Sequence, residues 1–258
     1  MNKKHGNRPC WRKLRLAYRE SARFYDLFAS ENDVQYYKEL GLKCGSALEI
    51  GVGTARVALE LARAGVEVWG IDNSPQMLKE AKKKLQKESE NVQSRVRLFE
   101  SDMRSFSLDR TFPLAYIPSS TIQHCAMQED QISCLKAINK HLSKNGLLAF
   151  NLILPSSTYN NCVRFIGKAT DGNSTVMRFI SYHPNWQEQL LEVLLLFEVY
   201  KSGVMTKRIC DASTIAMIGK QEMLRLLKKT GFRVEKVYGD YNKSEKTVDQ
   251  VVIEARRV

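Results

Sequence analysis

The stretch that decides the fold is Ala47-Leu48-Glu49-Ile50-Gly51-Val52-Gly53-Thr54-Ala55-Arg56. It begins as a short apolar strand, passes through a turn with two glycines and continues into an amphipathic helix. Gly51 and Gly53 have no side chains, so the backbone of this turn can approach a ligand closely. The segment therefore predicts a ligand site at the carboxyl end of the first strand of an α/β sheet.

Glu49 helps to choose between two classes of ligand for this turn. A dinucleotide-binding turn, G-x-G-x-x-G, would have its third glycine at Arg56 and its pyrophosphate near Glu49. Two negative charges so close repel each other by about 2 to 4 kcal/mol in a partly buried site. S-adenosylmethionine carries a sulfonium and an ammonium but no phosphate, so its charge agrees with an acid here. We therefore favour an adenosyl sulfonium over a dinucleotide.

Two further acids follow the next two predicted strands. Asp72 closes the second strand, 21 residues after Gly51, where a carboxylate can accept hydrogen bonds from both ribose hydroxyls of an adenosine. Asp102 closes the third strand, where it can accept from an adenine amine while Met103 packs on the ring. Three acids at three successive strand ends predict a single adenosyl site.

Outward from this stretch, short apolar strands alternate with amphipathic helices. We predict strands at residues 46–50, 66–71, 95–100, 113–118 and 146–154, helices at 54–64, 75–86, 128–142 and 220–230, and final strands at 232–238 and 247–255. Ser74 before Pro75 is a typical N-cap, and Gly231 is a typical C-cap. The alternation predicts an α/β fold with a doubly wound, mostly parallel, seven-stranded Rossmann-like sheet.

After Pro155 the pattern changes to long strand-like runs at residues 176–183, 189–200 and 206–218. Turns are predicted at His183-Pro184-Asn185 and at Lys201-Ser202-Gly203, so these runs predict an inserted antiparallel β lobe. We divide the chain into a basic N-terminal extension with a lid helix (1–30), a Rossmann-like domain (31–154 and 220–258) and the inserted substrate or cap lobe (155–219).

Residues 46–154 resemble a class I S-adenosylmethionine-dependent methyltransferase of the small-molecule type. Glu49, Gly51 and Gly53 match the first motif of that family, and Asp72 and Asp102 match its later acids. The resemblance implies a cofactor site formed by Tyr25, Glu49, Gly51, Gly53, Thr54, Asp72, Asn73, Met77, Asp102, Met103 and Pro118. Tyr25 would lie over the methionine end of the cofactor. Two departures are Ala55, where many members have a further glycine, and a fourth strand without the Asn-Pro-Pro-Tyr or Asp-Pro-Pro-Tyr of nucleic-acid base methyltransferases.

Transfer of a methyl group from a sulfonium chiefly requires alignment and desolvation of the acceptor, so few catalytic residues are expected. Gln123 and His124 follow the fourth strand at the ligand-binding edge, and we expect them to be catalytic. Only His124 could take up a proton near neutral pH, and the alternative is that it caps a helix or is bonded under the lobe. Candidate acceptor-binding side chains in the lobe are aromatic or cationic: Tyr159, Arg164, Arg178, Tyr182 and Trp186.

Charge and composition bear on the partners. The 258-residue chain has a formal net charge of +12 and six widely spaced cysteines, with no C-x-x-C pair, so no metal site is expected. It has no apolar run of membrane-spanning length and no secretory signal, and we expect a cytoplasmic protein without a membrane partner. The first twenty residues carry seven Lys or Arg but only two interleaved aromatics, Trp11 and Tyr18, so a nucleic-acid partner is not favoured.

The sequence thus predicts an enzyme that transfers a methyl group from S-adenosylmethionine to a nitrogen or oxygen of a small molecule. The alternatives are an RNA- or protein-directed methyltransferase and a non-catalytic adenosyl-binding scaffold. The oligomeric state is not predicted.

Overall fold

The computed structural model describes residues 18–258. The basic N-terminal arm discussed above falls largely on residues 1–17, outside the described residues. Six helices are present in the described part: α1 (Asn32–Cys44), α2 (Arg56–Arg63), α3 (Pro75–Leu85), α4 (Glu90–Gln93), α5 (Gln128–His141) and α6 (Lys220–Lys229).

The main sheet has seven strands: β1 (Ser46–Ile50), β2 (Glu67–Asp72), β3 (Val96–Glu100), β4 (Phe112–Ile117), β5 (Leu142–Ile153), β10 (Phe232–Tyr238) and β11 (Gln250–Arg257). Their order across the sheet is β10-β11-β5-β4-β1-β2-β3, and β11 runs antiparallel to both of its neighbours. The predicted doubly wound, mostly parallel, seven-stranded sheet is therefore confirmed. Because β1 and β4 lie side by side at the point where the strand order reverses, a ligand crevice is expected beyond their carboxyl ends.

Alternate residues of the strands face two separate cores. Ala47 of β1 packs with residues of α1 and α2 on one side of the sheet, whereas Leu48 packs with residues of α5 and α6 on the other. Burial on both faces explains why the central strands are continuously apolar. Helix α3 begins as predicted: the Ser74 hydroxyl accepts a hydrogen bond from the Met77 amide, and Pro75 takes the first position.

The inserted segment forms a separate antiparallel sheet of four strands, β6 (Arg164–Asp171), β7 (Ser174–Asn185), β8 (Leu190–Lys201) and β9 (Val204–Ala216), in sequential order. We call this sheet the lobe. Its inner face packs Phe197 against Phe24 and Phe28 of the N-terminal segment, with ring centroids 5.9 and 6.0 Å apart. The predicted turn at residues 201–203 is present, with positive φ at Ser202 and Gly203.

Two local predictions are wrong. Pro184 and Asn185 are paired with Leu191 and Leu190, so the first lobe turn falls at residues 186–189 instead of at His183-Pro184-Asn185. In its described part, the segment expected to form a lid helix has only two 3-10 turns, Ala22–Phe24 and Asp26–Phe28, and the backbone becomes extended at Ala29. Among residues 18–258, no helix is both long and apolar enough to cross a membrane.

Candidate active site

The glycine turn after β1 needs its glycines for steric reasons. Gly51 has φ +71°, and a Cβ built on it would lie 2.3 Å from Thr121 Cγ2. Gly53 also has a positive φ, and its surroundings are open. Ala55 takes φ +60° at the position where many methyltransferases have glycine. The turn therefore brings bare backbone to the mouth of the crevice.

Asp72 joins the ends of β1 and β2. Its Oδ2 accepts a hydrogen bond of 2.8 Å from the Gly53 amide, and its Oδ1 accepts one of 2.8 Å from the Ser74 amide. Burial raises the pKa of this carboxyl, whereas hydrogen bonds from the backbone amides of Ser74, Gly53 and Asn73 act in the opposite direction. A carboxylate has about four acceptor sites, so Asp72 can also accept a hydrogen bond from a ligand.

A cavity of about 340 Å³ lies beyond these strand ends, and we call it the first cavity. This volume lies within the range of small-molecule and cofactor sites. The structure brings together nine of the predicted site residues around it: Tyr25, Gly51, Gly53, Asp72, Asn73, Met77, Asp102, Met103 and His124. Sequence reasoning missed other lining residues, among them Tyr18, Arg104, Ser119, Thr121 and Cys125.

Asp102 is not free in this cavity. Arg104 binds it, with an Nη2 to Oδ2 distance of 2.6 Å, and the same guanidinium reaches Asp130 at 3.1 Å. The Arg104 hydrogen bonds lower the pKa of Asp102. An adenine amine would therefore meet a carboxylate that is ionised and already oriented by an arginine.

Glu49 lies beneath the glycine turn and does not line the cavity. Its Oε2 accepts a hydrogen bond of 2.8 Å from the Tyr116 hydroxyl. Burial raises the pKa of Glu49 to about 8, although the Tyr116 bond lowers it. The carboxyl is thus mostly protonated at pH 7, so its predicted repulsion of a pyrophosphate is weaker than expected. The absence of the third glycine, at Arg56, remains as the argument against a dinucleotide turn.

Three other predicted residues also lie off the first cavity. The Thr54 hydroxyl donates to Asp26 Oδ1 at 2.6 Å. The Pro118 carbonyl accepts from the Thr121 hydroxyl at 2.8 Å. These contacts shape the crevice from behind. Gln123 is the third of these residues, and its side chain forms hydrogen bonds with backbone groups outside the first cavity.

Gln123 holds the main sheet and the lobe together. Its Nε2 donates to the carbonyls of Ile153 and Ala216, at 3.1 and 2.8 Å, and its Oε1 accepts from the Ile153 amide at 2.9 Å. The side chain is 2% exposed and all its bonds run to backbone groups. Gln123 lines neither cavity, and its side-chain contacts are those of a structural residue, in contrast to the catalytic role expected from the sequence.

The N-terminal segment covers the cavity. The Tyr18 and Tyr25 rings meet edge to face, with centroids 5.5 Å apart. Asp26 fixes the segment to the main domain through Thr54 and through Lys84, whose Nζ lies 2.6 Å from Asp26 Oδ2. At the other end, the Ser21 hydroxyl donates to Asp211 of the lobe. We call residues 18–28 the strap, since it connects the domain and the lobe above the first cavity.

A second cavity of about 490 Å³ lies between the main sheet and the lobe. Four residues line both cavities: Tyr18, Tyr25, Ser119 and His124. The shared wall means that a ligand in one cavity lies next to a ligand in the other. Arg178 and Tyr182, both expected to bind the acceptor, line the second cavity.

The other expected acceptor-binding residues lie further out. Tyr159 packs on Tyr182, with ring centroids 5.1 Å apart, and donates to the Leu154 carbonyl. The Arg164 guanidinium lies 5.3 Å from the Tyr182 centroid. Trp186 is 53% exposed in the turn between β7 and β8. Only two of the five expected side chains therefore line the cavity.

His124 is the titratable group at the shared wall. Its ring lies 6.3 Å from the Tyr18 ring, and neither ring nitrogen is hydrogen-bonded within residues 18–258. Burial lowers the pKa of His124 below its ordinary value, so the imidazole is neutral at pH 7. A neutral imidazole without a partner can accept a proton from a ligand.

Comparisons with known proteins agree with this arrangement. Residues 47–146 match a family model described as a methyltransferase domain. The chain is 22% identical over 215 residues to the putative methyltransferase YqeM of Bacillus subtilis, covering 78% of each chain.

Two solved structures share the fold. The CcbJ methyltransferase of Streptomyces caelestis has a TM-score of 0.76 at 18% identity, covering 92% of this chain and 96% of that one. CalS10 of Micromonospora echinaspora, an amino pentose methyltransferase solved with S-adenosylmethionine bound, has a TM-score of 0.69 at 18% identity, covering 92% and 94%.

The cavity fits the methyl donor. Gly51 and Gly53, Asp72, Asp102 and Met103 all line it, so they would hold the methionine end, the ribose and the adenine of a bound cofactor. Bound there, S-adenosylmethionine would supply an activated methyl group. Residues 47–146 are thus a methyltransferase domain, and the chain as a whole has the fold of S-adenosylmethionine-dependent methyltransferases.

Proposed function

We propose that this enzyme methylates a nitrogen or oxygen of a small molecule held in the second cavity. The observation that carries the proposal is the shared wall: Tyr18, Tyr25, Ser119 and His124 border both the cofactor crevice and a cavity between the sheet and the lobe. An acceptor in the second cavity would lie directly beside the methyl donor. The volume of about 490 Å³ suits a small molecule or one residue of a larger chain.

His124 is proposed to take the proton that the acceptor loses. Methyl transfer raises the charge on an accepting amine or hydroxyl, which must then release a proton. The His124 imidazole is neutral near pH 7 and lies on the shared wall, so it can receive that proton. The chain otherwise aligns the acceptor and excludes water, with the strap closing one side.

The fold relative CalS10 is described as an amino pentose methyltransferase, so it supports a small molecule that carries an amine as the acceptor. An RNA- or protein-directed activity is the second candidate, and its support is the net charge of +12. The basic residues that motivate it fall mostly within residues 1–17, outside the described part of the chain.

The test is transfer of a labelled methyl group from S-adenosylmethionine to matched acceptor pools. One pool contains amino sugars, amino acids, amines and phenols, and the other contains total RNA and unfolded protein. We expect label in the small-molecule pool. Label confined to RNA or protein would refute the proposal, and cofactor binding without transfer to either pool would favour a non-catalytic scaffold.

His124→Gln, with His183→Gln as the control, tests the proposed base. His183 lies on β7 and does not line either cavity. We expect His124→Gln to lower kcat about 100-fold and to remove the acid limb of the pH profile. His183→Gln should keep the wild-type kcat and the acid limb of the pH profile. An unchanged pH profile in His124→Gln would show that the imidazole takes no proton.

A further inference from the structure

Arg178 presents an unusual guanidinium to the second cavity. It lies on β7, with its Cζ 5.7 Å from the Phe28 ring centroid. Its Nη1 donates one long bond of 3.5 Å to the Phe28 carbonyl, and its Nε is covered by protein without an acceptor. Within residues 18–258, no carboxylate is in ion-pair contact with it.

Arg56 lines the same cavity, and its guanidinium, unlike that of Arg178, is paired with a carboxylate. It binds Asp33 through two bonds, Nη1 to Oδ1 at 2.8 Å and Nη2 to Oδ2 at 2.6 Å, and also donates to the Ser30 carbonyl at 2.8 Å. A guanidinium has five N–H donors, and removing its charge from water is costly unless it is paired. The Nε of Arg178 is shielded from water without gaining such a partner.

The other charged groups that line this cavity do not neutralise Arg178. Asp33 is taken by Arg56. Asp240 faces its own loop, where its Oδ1 accepts from the amides of Asn242 and Ser244 at 2.9 and 3.0 Å. The Arg178 guanidinium is therefore a positive charge in the cavity that no carboxylate of the described residues neutralises.

Arg178 also lies near the shared wall. Burial raises the pKa of Tyr18, and the nearby Arg178 charge partly opposes this effect. The Tyr18 ring in turn contacts the His124 ring. A small molecule held by Arg178 would therefore lie in the cavity that Tyr18 and His124 also line.

We propose that Arg178 binds an anionic group, a carboxylate or a phosphate, on the methyl acceptor. This inference rests on the proposed function, because it requires that the acceptor occupies the second cavity. Oxyanions match the planar Nη edge of a guanidinium and form its strongest hydrogen bonds. The acceptor is thus a small acidic molecule that carries its accepting amine or hydroxyl on the side towards His124.

Simple anions test the subsite without knowledge of the acceptor. The protein, saturated with S-adenosylhomocysteine, is titrated with sodium acetate, sodium phosphate or neutral acetamide at constant ionic strength, and the melting temperature is followed. The variants are Arg178→Gln, Arg178→Lys and the control Arg208→Gln. Arg208 is 60% exposed and pairs with Glu198 on the lobe.

We expect acetate or phosphate, but not acetamide, to stabilise the wild type and Arg208→Gln. Arg178→Gln should bind the effective anion about 10- to 100-fold more weakly, the range for losing a charge-assisted hydrogen bond. Arg178→Lys should fall between them, and it replaces Arg178→Gln if the latter does not fold. Preference for acetate would indicate a carboxylate acceptor, and preference for phosphate a phosphorylated one.

Failure of this inference is distinguishable from failure of the proposed function. Binding of S-adenosylhomocysteine is measured first, and its absence in the wild type would refute the cofactor site itself. If that binding is normal and neither anion stabilises the protein, Arg178 does not form an anion subsite. Equal stabilisation of wild type and both Arg178 variants would overturn it as well.

Discussion

Replacing Glu49 with Gln tests whether burial of this carboxyl makes the fold sensitive to pH. The side chain is 1% exposed, and burial raises its pKa to about 8 from an ordinary value of 4.5. The folded protein therefore keeps a proton on Glu49 at pH values where the unfolded chain has released it. Because the folded state then binds more protons, the free energy of unfolding falls as the pH rises from about 4.5 to 8.

The magnitude follows from the two pKa values of Glu49. Their difference of about 3.5 corresponds to about 5 kcal/mol across the whole pH range, at about 1.4 kcal/mol for each pH unit. Between pH 5.5 and 8, the loss is about 3 kcal/mol. Glutamine resembles the protonated acid, and its oxygen can still accept the hydrogen bond from Tyr116. The Glu49→Gln variant should therefore lack this pH-dependent loss.

Urea unfolding of the ligand-free protein at pH 5.5, 7 and 8 provides the measurement. The difference between wild type and Glu49→Gln removes the contribution of the other groups, and we expect the variant to gain relative stability as the pH rises. Glu39→Gln is the control, because hydrogen bonds from Gln35 and Lys243 lower the pKa of that exposed carboxyl. If wild type and Glu49→Gln have parallel pH dependences, Glu49 is ionised in the folded state and the reasoning fails.

Three further substitutions test the crevice and the strap. Gly51→Ala should abolish cofactor binding in calorimetry, because its Cβ would lie 2.3 Å from Thr121 Cγ2 at a positive φ; wild-type affinity would refute this close packing of the turn. Asp72→Ala should weaken cofactor binding by about 1 to 3 kcal/mol in a folded protein, and unchanged affinity would remove it from the site. Asp211→Ala should expose the strap to limited proteolysis at Ser21, because its anchor to the lobe is lost; an unchanged cleavage rate would show that this anchor is dispensable.

Much of the main sheet could be predicted because its strands are buried on both faces. The predicted bounds of β1 and β10 agree with the structure, residues 46–50 and 232–238. Acids at the carboxyl ends of neighbouring parallel strands must converge, so Asp72 and Asp102 could be placed in one cavity from the sequence.

The lobe was harder to predict because half of its surface faces solvent. Strand β6 was missed, since nearly all its residues are exposed and it has no apolar alternation. Pro184 suggested a turn, but β6 pairs with β7 only as far as Ile180. Beyond that point β7 has a free edge, where a residue without an N–H is tolerated.

The direction of individual side chains was the least predictable feature of the site. Gln123 and His124 are neighbours on one 3-10 turn, yet the first is buried between backbone groups and the second faces both cavities. Tyr18 was noted in the sequence only as part of a basic segment. Its contact with His124 depends on the strap crossing the crevice, which no local pattern encodes.

The three hydrogen bonds of Gln123 connect the lobe to the turn that carries the proposed base, His124. They fix the turn that carries His124 to the end of β5, through Ile153, and to the end of β9, through Ala216. In the proposed reaction the lobe would therefore do more than enclose the acceptor, because its last strand also holds the turn that carries the proposed base. Methyl transfer depends on alignment within a fraction of an ångström. If the lobe binds the acceptor as proposed, the positions of both the acceptor and His124 depend on the same sheet.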